Sequence, residues 1–215
     1  MAVYQKILLV EGNDEIRVIP ELMKRNGVAW ERNNEPVHID GNKGYQDLVK
    51  PGRIKPILKA SELSALGIMI DADDNPLGRW QGIRNAVLES IPDIPKVLPE
   101  EGLIHNTLEG IKFGVWIMPD NKIQGMLETF LTYIRSINDE ELWKFAQEVT
   151  QDARSKGAAF KDSHLDKANI HTWLAWQDPP GLQLHQAAMK RHILNPQHPN
   201  AQKFVTWFKT LYDLT

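Results

Sequence analysis

Two aspartates that follow an apolar run form the first candidate site in the sequence. Residues 66–70 are apolar, and Asp71 and Asp73 come after them, two residues apart. An apolar run of this length that ends at turn-forming residues is typical of a buried strand in a parallel sheet. If the strand geometry continues, both side chains lie on the same side of the strand. Because two carboxylates about 4 Å apart repel each other, the pair requires a cation, a proton or a basic partner, and a divalent metal is the working interpretation.

A second group of acids follows an earlier apolar run. Residues 7–10 are apolar and lead into Glu11, and Glu15 comes four residues later. The carboxyl ends of parallel strands meet at one edge of an open α/β sheet, where ligands bind. We therefore expect Glu11 to lie near Asp71 and Asp73. Glu15 has a second interpretation, because an acid in the first turn of a helix is stabilised by the helix dipole.

Strands and helices must alternate to bring these acids to one edge, and the sequence predicts that they do. Apolar runs predict strands at residues 6–12, 37–41, 66–70 and 113–118. Helical spacing, caps and breakers predict helices at residues 13–26, 45–59 (interrupted at 51–52), 78–90, 125–137, 138–149, 167–176, 182–194 and 201–214. This alternation favours right-handed βαβ units and a mostly parallel sheet flanked by helices. We expect an α/β domain at residues 1–137 and a helical C-terminal extension, residues 138–215, packed on it.

Composition excludes several classes of protein. The 215 residues carry a formal net charge of −3 and include no cysteine, so disulfides and thiolate zinc sites are excluded. Contact with nucleic acid would have to come from a local basic patch rather than from the overall charge. No apolar run is long enough for a signal peptide or a membrane span, which predicts a cytoplasmic protein without membrane contact.

The acidic motifs resemble those of the Toprim domain, which occurs in topoisomerases, primases and overcoming-lysogenisation-defect (OLD) nucleases. The first motif is Leu-Leu-Val-Glu-Gly-x-x-Glu at residues 8–15, and the second is Ile-Asp-Ala-Asp at residues 70–73. The resemblance covers roughly residues 6–131. The whole chain also resembles a family of small stand-alone Toprim-like proteins of unassigned function. The resemblance implies a Toprim-like, Rossmannoid sheet.

The resemblance also implies Mg²⁺-dependent (or Mn²⁺-dependent) chemistry on phosphodiester bonds. By resemblance, Glu11, Asp71 and Asp73 hold the first metal. Glu15 matches an additional ligand for a second metal in OLD-type nucleases, and Glu128 matches a later acid of the same site. Hard divalent cations prefer such oxygen ligands, and two of them could stabilise both oxygens of an in-line displacement.

One position departs from the family pattern at the second metal site, and a lysine further along the chain extends the resemblance. OLD-type nucleases often carry an acid two residues before the glutamate, where this chain has Met126. A lysine assists catalysis in that family, and Lys167 is our candidate, with Lys156 and Lys161 as alternatives. Glu11 and Lys167 are therefore the predicted catalytic residues.

We expect a metal-dependent nuclease that acts on DNA or RNA. Maturation of ribosomal RNA and anti-phage defence with a separate ATPase partner are two variants of this hypothesis. A non-catalytic Toprim-fold module that binds a nucleotide, a nucleic acid or a partner protein is the alternative. Relaxation of supercoils is not expected, since none of the four tyrosines lies in a recognisable nucleophile motif.

Other polar and aromatic residues have competing interpretations. Asp120 and Asn121 could contact a metal or cap the following helix, and capping is favoured. Four tryptophans of the C-terminal third could stack on bases, but packing in the core is the preferred interpretation: Trp143, Trp173, Trp176 and Trp207.

Overall fold

Five strands form a single sheet in the computed structural model, which describes residues 4–136, 140–190 and 192–215. The strands are β1 (Lys6–Val10), β2 (His38–Gly41), β3 (Ala65–Asp71), β4 (Leu103–Asn106) and β5 (Lys112–Met118). Their order in the sheet is β2-β1-β3-β5-β4. All neighbours are parallel except β4, which runs antiparallel to β5 at one edge. The predicted α/β fold with a mostly parallel sheet is confirmed.

Nine helices connect and cover the strands within the described ranges. They are α1 (Asn13–Arg25), α2 (Tyr45–Leu48), α3 (Lys55–Leu58), α4 (Pro76–Val87), α5 (Leu127–Tyr133), α6 (Glu140–Ser155), α7 (Leu165–Leu174), α8 (Leu184–Ala188) and α9 (Pro199–Tyr212). A short 3-10 helix, Asp162–His164, precedes α7. None of these helices has both the length and the apolar character needed to cross a bilayer.

The alternation of side chains along the strands separates two apolar cores. Leu8 and Val10 of β1 point toward α1, α5 and the C-terminal helices. Leu9, between them, points to the opposite face, where α2, α3 and α4 pack. The sheet is therefore the middle of three layers, and the C-terminal helices supply much of one outer layer.

Helix α9 lies directly on the sheet because two strands present glycines beneath it. A Cβ atom at Gly67 would lie 2.3 Å from the hydroxyl of Tyr212, and one at Gly114 would lie 2.5 Å from Leu211. The Tyr212 hydroxyl donates a hydrogen bond of 2.8 Å to the carbonyl of Ile7. The C-terminal region therefore shares a core with the sheet. The predicted domain boundary between residues 137 and 138 lies outside the described residues, as does the predicted cap of the helix at 138–149.

The structure differs from the predicted elements where the segments are short. Strand β4 was not predicted, because it has only four residues and half of them are polar. The helix predicted at 45–59 is two separate turns, α2 and α3, on either side of the Pro51-Gly52 interruption. The helix predicted at 182–194 is limited to α8. In each case tertiary pairing or a local breaker outweighs the periodic pattern.

Candidate functional site

A cavity of about 230 Å³ lies at the edge of the sheet where β1 and β3 end. Its lining brings together carboxylates from two strand ends and two helices, together with one lysine. These residues are Glu11, Gly12, Asn13, Asp14, Glu15, Gly44, Asp71, Leu127, Glu128 and Lys167. Larger cavities lie at the opposite edge of the sheet, beside α9 and beside β2, but none of them gathers this set of acids. The chemistry of the lining, rather than its volume, makes this cavity the candidate site.

Glu11 connects the carboxyl end of β1 to β3 and α2 through hydrogen bonds. One carboxylate oxygen accepts a hydrogen bond of 3.0 Å from the backbone N–H of Asp71, and the other accepts one of 3.1 Å from the N–H of Tyr45. Burial raises the pKa of Glu11, while these two hydrogen bonds and the positive charge of Arg79 act in the opposite direction. The carboxylate is therefore held in one orientation at the junction of β1, β3 and α2.

Asp71 is the last residue of β3 and connects the sheet to α5. Its Oδ1 accepts a hydrogen bond of 2.9 Å from the backbone N–H of Leu127, the first residue of that helix. Burial raises the pKa of Asp71 well above its usual value, and the nearby charges of Glu15, Glu11 and Glu128 raise it further. The ionised carboxylate is therefore unfavourable unless a proton or a cation neutralises it.

Glu15 is the buried acid with the fewest partners in the cavity. It is only 7% exposed, yet in the described ranges its carboxylate forms no ion pair and no hydrogen bond with another residue. Burial raises the pKa of Glu15 to about 7, with further contributions from the charges of Glu11, Glu128 and Asp14. Compensation of the helix dipole does not require such burial, so the position of Glu15 indicates a role in the cavity.

Lys167 enters the cavity from α7 and pairs with Glu128. Its Nζ lies 2.6 Å from Glu128 Oε1, and the side-chain exposures are 45% for the lysine and 4% for the glutamate. Burial would lower the pKa of Lys167, but the hydrogen bond and the negative charge of Glu128 raise it. The ammonium group is therefore protonated and directed at a buried carboxylate.

Asp166, the residue before Lys167 in α7, helps to hold Lys167 close to Glu128. Thr129 of α5 donates a hydrogen bond of 2.7 Å from its hydroxyl to Asp166 Oδ2. The two neighbouring pairs, Thr129 with Asp166 and Glu128 with Lys167, fix the start of α5 against the start of α7. Neither alternative lysine lines the cavity, since Lys156 pairs with Asp152 one turn away and Lys161 is exposed.

Asp73 is not brought into the cavity with the other predicted ligands. Its φ angle of 49° is left-handed, and its backbone exchanges two hydrogen bonds with Gly125. Its carboxylate pairs with Arg79, whose guanidinium carbon lies 4.0 Å from the centre of the Tyr45 ring. The strand geometry therefore ends before Asp73, and the spacing of two residues no longer places its side chain beside that of Asp71.

The donor set fits a divalent cation in its chemistry. Four of the five predicted metal-ligating acids line one cavity, namely Glu11, Glu15, Asp71 and Glu128, and they destabilise one another as anions. Their side chains nevertheless do not form a ready-made cage. Over the ranges that the structure describes, no group of three or more histidines, aspartates or glutamates has an arrangement that could hold a metal ion. Cation binding would therefore require side-chain adjustment.

Several contributors to the site were not predicted from the sequence. Arg79 and Tyr45 form the stacked pair that holds Asp73, and Thr129 and Asp166 position α7. No local motif marks these residues, because each acts through a contact between distant elements. Gly44, in the glycine-containing turn after β2, also reaches the cavity lining.

Asp120 and the tryptophans have structural roles. The Asp120 carboxylate accepts hydrogen bonds from the backbone N–H groups of Lys122 and Ile123, which closes a turn before α5. The prediction that Asp120 or Asn121 caps the following helix is wrong, because α5 begins at Leu127 with Met126 as its N-cap. The preferred interpretation of the tryptophans as core residues is confirmed for Trp143, Trp173 and Trp207, which are buried. Trp176 differs, since it is 40% exposed.

The fold and the cavity define an α/β protein with a carboxylate-rich site at the carboxyl edge of a mostly parallel sheet. The chain belongs to the family described as "Protein of unknown function (DUF3226)", which matches it over residues 5–213. Neither a curated protein nor a solved structure matches the chain.

Proposed function

We propose that the protein is a Mg²⁺-dependent or Mn²⁺-dependent nuclease that hydrolyses phosphodiester bonds of DNA or RNA at the carboxylate cavity. The observation that carries the proposal is the position of Glu15. It is a buried acid without a cationic partner among the described residues, and it faces three further carboxylates. Solvated surface acids would not be arranged in this way, because each would keep its own water.

The acids of the cavity require positive charge, and their residue types indicate which ion could supply it. Burial and mutual repulsion disfavour the ionised forms of Glu15 and Asp71, so either protons or a cation must compensate them. A site built only of carboxylate oxygens suits hard ions such as Mg²⁺ and Mn²⁺. Glu11, Glu15 and Asp71 are the proposed ligands, whereas Glu128 pairs with Lys167 and Asp73 pairs with Arg79.

Different residues of the cavity would have different roles in phosphodiester hydrolysis. When bound, a divalent cation supplies Lewis acidity toward a phosphate oxygen and activates water. Glu11 and Asp71 are held by backbone N–H groups, so they need little reorientation. The Lys167 ammonium group can stabilise negative charge that develops on the phosphate. Glu15, whose pKa is raised to about 7 in the cation-free chain, must lose its proton before it can bind the cation.

The choice of nucleic acid as substrate rests on the Toprim resemblance of the motifs at residues 8–15 and 70–73. The cavity edge agrees with that resemblance in one physical respect, because ligands of open α/β sheets bind at the carboxyl ends of the strands. The proposal includes a variant, based on the resemblance to OLD-type nucleases, in which the protein acts together with a separate ATPase.

The decisive experiment is a nuclease assay on plasmid DNA, single-stranded DNA and structured RNA, with Mg²⁺ or Mn²⁺. Asp71→Asn and Glu11→Gln preserve side-chain shape while they remove charge, and we expect each to reduce the rate by at least about a hundredfold. Asp120→Asn is the matched control, since that acid lies outside the cavity, and it should retain activity. Cleavage that persists in both cavity variants, or is absent from the wild type with either metal, would refute the proposal.

A non-catalytic binding module is the second candidate. It is favoured by the absence, within the described ranges, of a preformed cluster of three metal-ligating acids and by the direct Lys167–Glu128 pair. Binding of a labelled oligonucleotide or a nucleotide that depends on divalent cation, without any turnover, would support this alternative. Turnover that is lost in Asp71→Asn would exclude it.

A further inference from the structure

We propose that Lys167 takes the place of a second metal ion, so that the cavity binds a single divalent cation. This inference rests on the proposed function, because it concerns the charge balance of the same cavity. It assigns a role to the lysine that is separate from contact with a substrate. Lys167 then determines how many metal ions the site accepts.

The contact between Lys167 and Glu128 carries the inference. The Nζ–Oε1 distance of 2.6 Å is that of a direct ion pair, and Glu128 is almost fully buried. In the described part of the chain, Lys167 is the partner that neutralises this acid. A metal ion on the same oxygen would lie beside the ammonium group and would be repelled by it.

The position of Lys167 is set by the fold rather than by a flexible side chain alone. The hydrogen bond from Thr129 to Asp166 anchors the residue next to Lys167 against the start of α5. Glu128, next to Thr129, is thereby placed opposite Lys167. An ammonium group that is held at a buried acid in this way is part of the site, unlike an exposed lysine that contacts an acid by chance.

The remaining acids define where the single cation would bind. Arg79 already neutralises Asp73, as Lys167 neutralises Glu128. Among the residues described, neither Glu15 nor Asp71 forms an ion pair, and only the more distant charge of Lys167 acts on Asp71. Lys167 and Arg79 thus each neutralise one acid. One divalent ion would bind between Glu15 and Asp71, and Glu11, which backbone hydrogen bonds hold beside them, would complete the ligand set.

The test is the number of Mn²⁺ ions bound per chain by the full-length protein after removal of metals with EDTA. Electron paramagnetic resonance of free Mn²⁺ gives this number, and calorimetry with Mg²⁺ provides a second measurement. We expect one ion for the wild type and two for Lys167→Met. Lys161→Met is the matched control, because that lysine is exposed and outside the cavity, and it should bind one ion. Lys167→Arg, which keeps the charge, should also bind one.

Each outcome has a defined meaning. Two ions in the wild type, or one ion in both the wild type and Lys167→Met, would overturn the inference while leaving a metal-dependent function intact. No ion in the wild type would overturn the inference and also the metal site of the proposed function. Circular dichroism shows whether Lys167→Met is folded, and Lys167→Gln replaces it if it is not. The wild-type count by itself can already overturn the inference.

Discussion

At the scale of single residues, the cavity depends on acids whose charge the fold disfavours. Glu15 is the extreme example, because it is buried and has no cationic side chain to compensate its charge within the described residues. Glu11 and Asp71 are shielded from solvent as well, but backbone N–H groups support them. This difference predicts that Glu15 is the residue at which removal of charge has the clearest effect on stability.

We predict that Glu15→Gln stabilises the cation-free protein at pH 8. The pKa of about 7, compared with 4.5 for an ordinary glutamate, means that the ionised side chain costs about 3 kcal/mol in the folded state. A gain of about 1–3 kcal/mol in the free energy of unfolding, measured by urea denaturation in EDTA, is expected. Divalent-cation affinity should fall at least about tenfold in the same variant, because a ligand is lost.

Glu148→Gln is the control for this prediction, since Glu148 lies on the exposed side of α6. It should change the free energy of unfolding by less than about 0.5 kcal/mol. A Glu15→Gln protein that is less stable than the wild type in EDTA at pH 8 would show that the carboxylate has a stabilising partner.

At the scale of elements, the site depends on contacts that the sheet makes with helices far away in sequence. Helix α7 delivers Lys167, α5 delivers Glu128, and the end of β3 delivers Asp71. Helix α9 does not reach the cavity, but it packs on β3 and β5 and thereby supports the layer that contains α5 and α7. Close approach of α9 to the sheet is therefore a requirement for the site as well as for stability.

We predict that Gly67→Ala destabilises the protein, because the added Cβ would lie 2.3 Å from the Tyr212 hydroxyl. Overpacking of this kind costs about 1–3 kcal/mol, measured as the loss in the free energy of unfolding. Tyr212→Phe alone should cost about 1 kcal/mol, since it removes the hydrogen bond to Ile7.

The double variant Gly67→Ala/Tyr212→Phe tests the cause of this loss. Removal of the hydroxyl relieves the principal clash, so the double variant should lose less than the sum of the two single losses. Strictly additive losses would mean that the methyl group is accommodated by movement of Leu8 or Leu211 instead.

At the scale of the whole molecule, burial of several acids in one cavity couples stability to pH and to metal. Glu11, Glu15 and Asp71 all have a pKa that is raised in the folded state, primarily by burial. Such groups bind protons more tightly in the folded than in the unfolded chain. Their stabilising contribution is present at low pH and is lost as the pH rises through the folded pKa values.

We predict that, in EDTA, the free energy of unfolding decreases as the pH rises from 5 to 8. The pKa of Glu15, which rises from 4.5 for an ordinary glutamate to about 7 in the folded chain, accounts for a decrease of about 2–3 kcal/mol by itself. Mg²⁺ should raise the melting temperature more at pH 8 than at pH 5, because protons compete with the metal for the carboxylates.

Urea denaturation at constant ionic strength across this pH range checks the prediction, with Glu15→Gln as the comparison. The pH dependence should be weaker in the variant, because it lacks the group with the raised pKa. A wild-type stability that is constant or increases between pH 5 and 8 in EDTA would contradict the assignment of buried, uncompensated acids.

The sequence by itself determined the layered α/β architecture and the strand ends that carry Glu11 and Asp71. These features are local, since an apolar run sets a buried strand and the carboxyl ends of parallel strands share one edge. It also singled out Glu15 by its position after Glu11. Glu128 and Lys167 were proposed only through a resemblance of motifs, because the number of residues between two positions does not give the distance between them. Strand β4 escaped prediction because four residues carry too little periodic signal.

Only the tertiary structure decided which acids meet. Asp73 differs from Asp71 because it has a left-handed backbone and its carboxylate pairs with Arg79, outside the cavity lining. Glu128 and Lys167 meet because α5 and α7 pack together, which no spacing along the chain determines. Burial, which turns Glu15 from an ordinary acid at the start of a helix into one with a pKa of about 7, is likewise a property of the assembled layers.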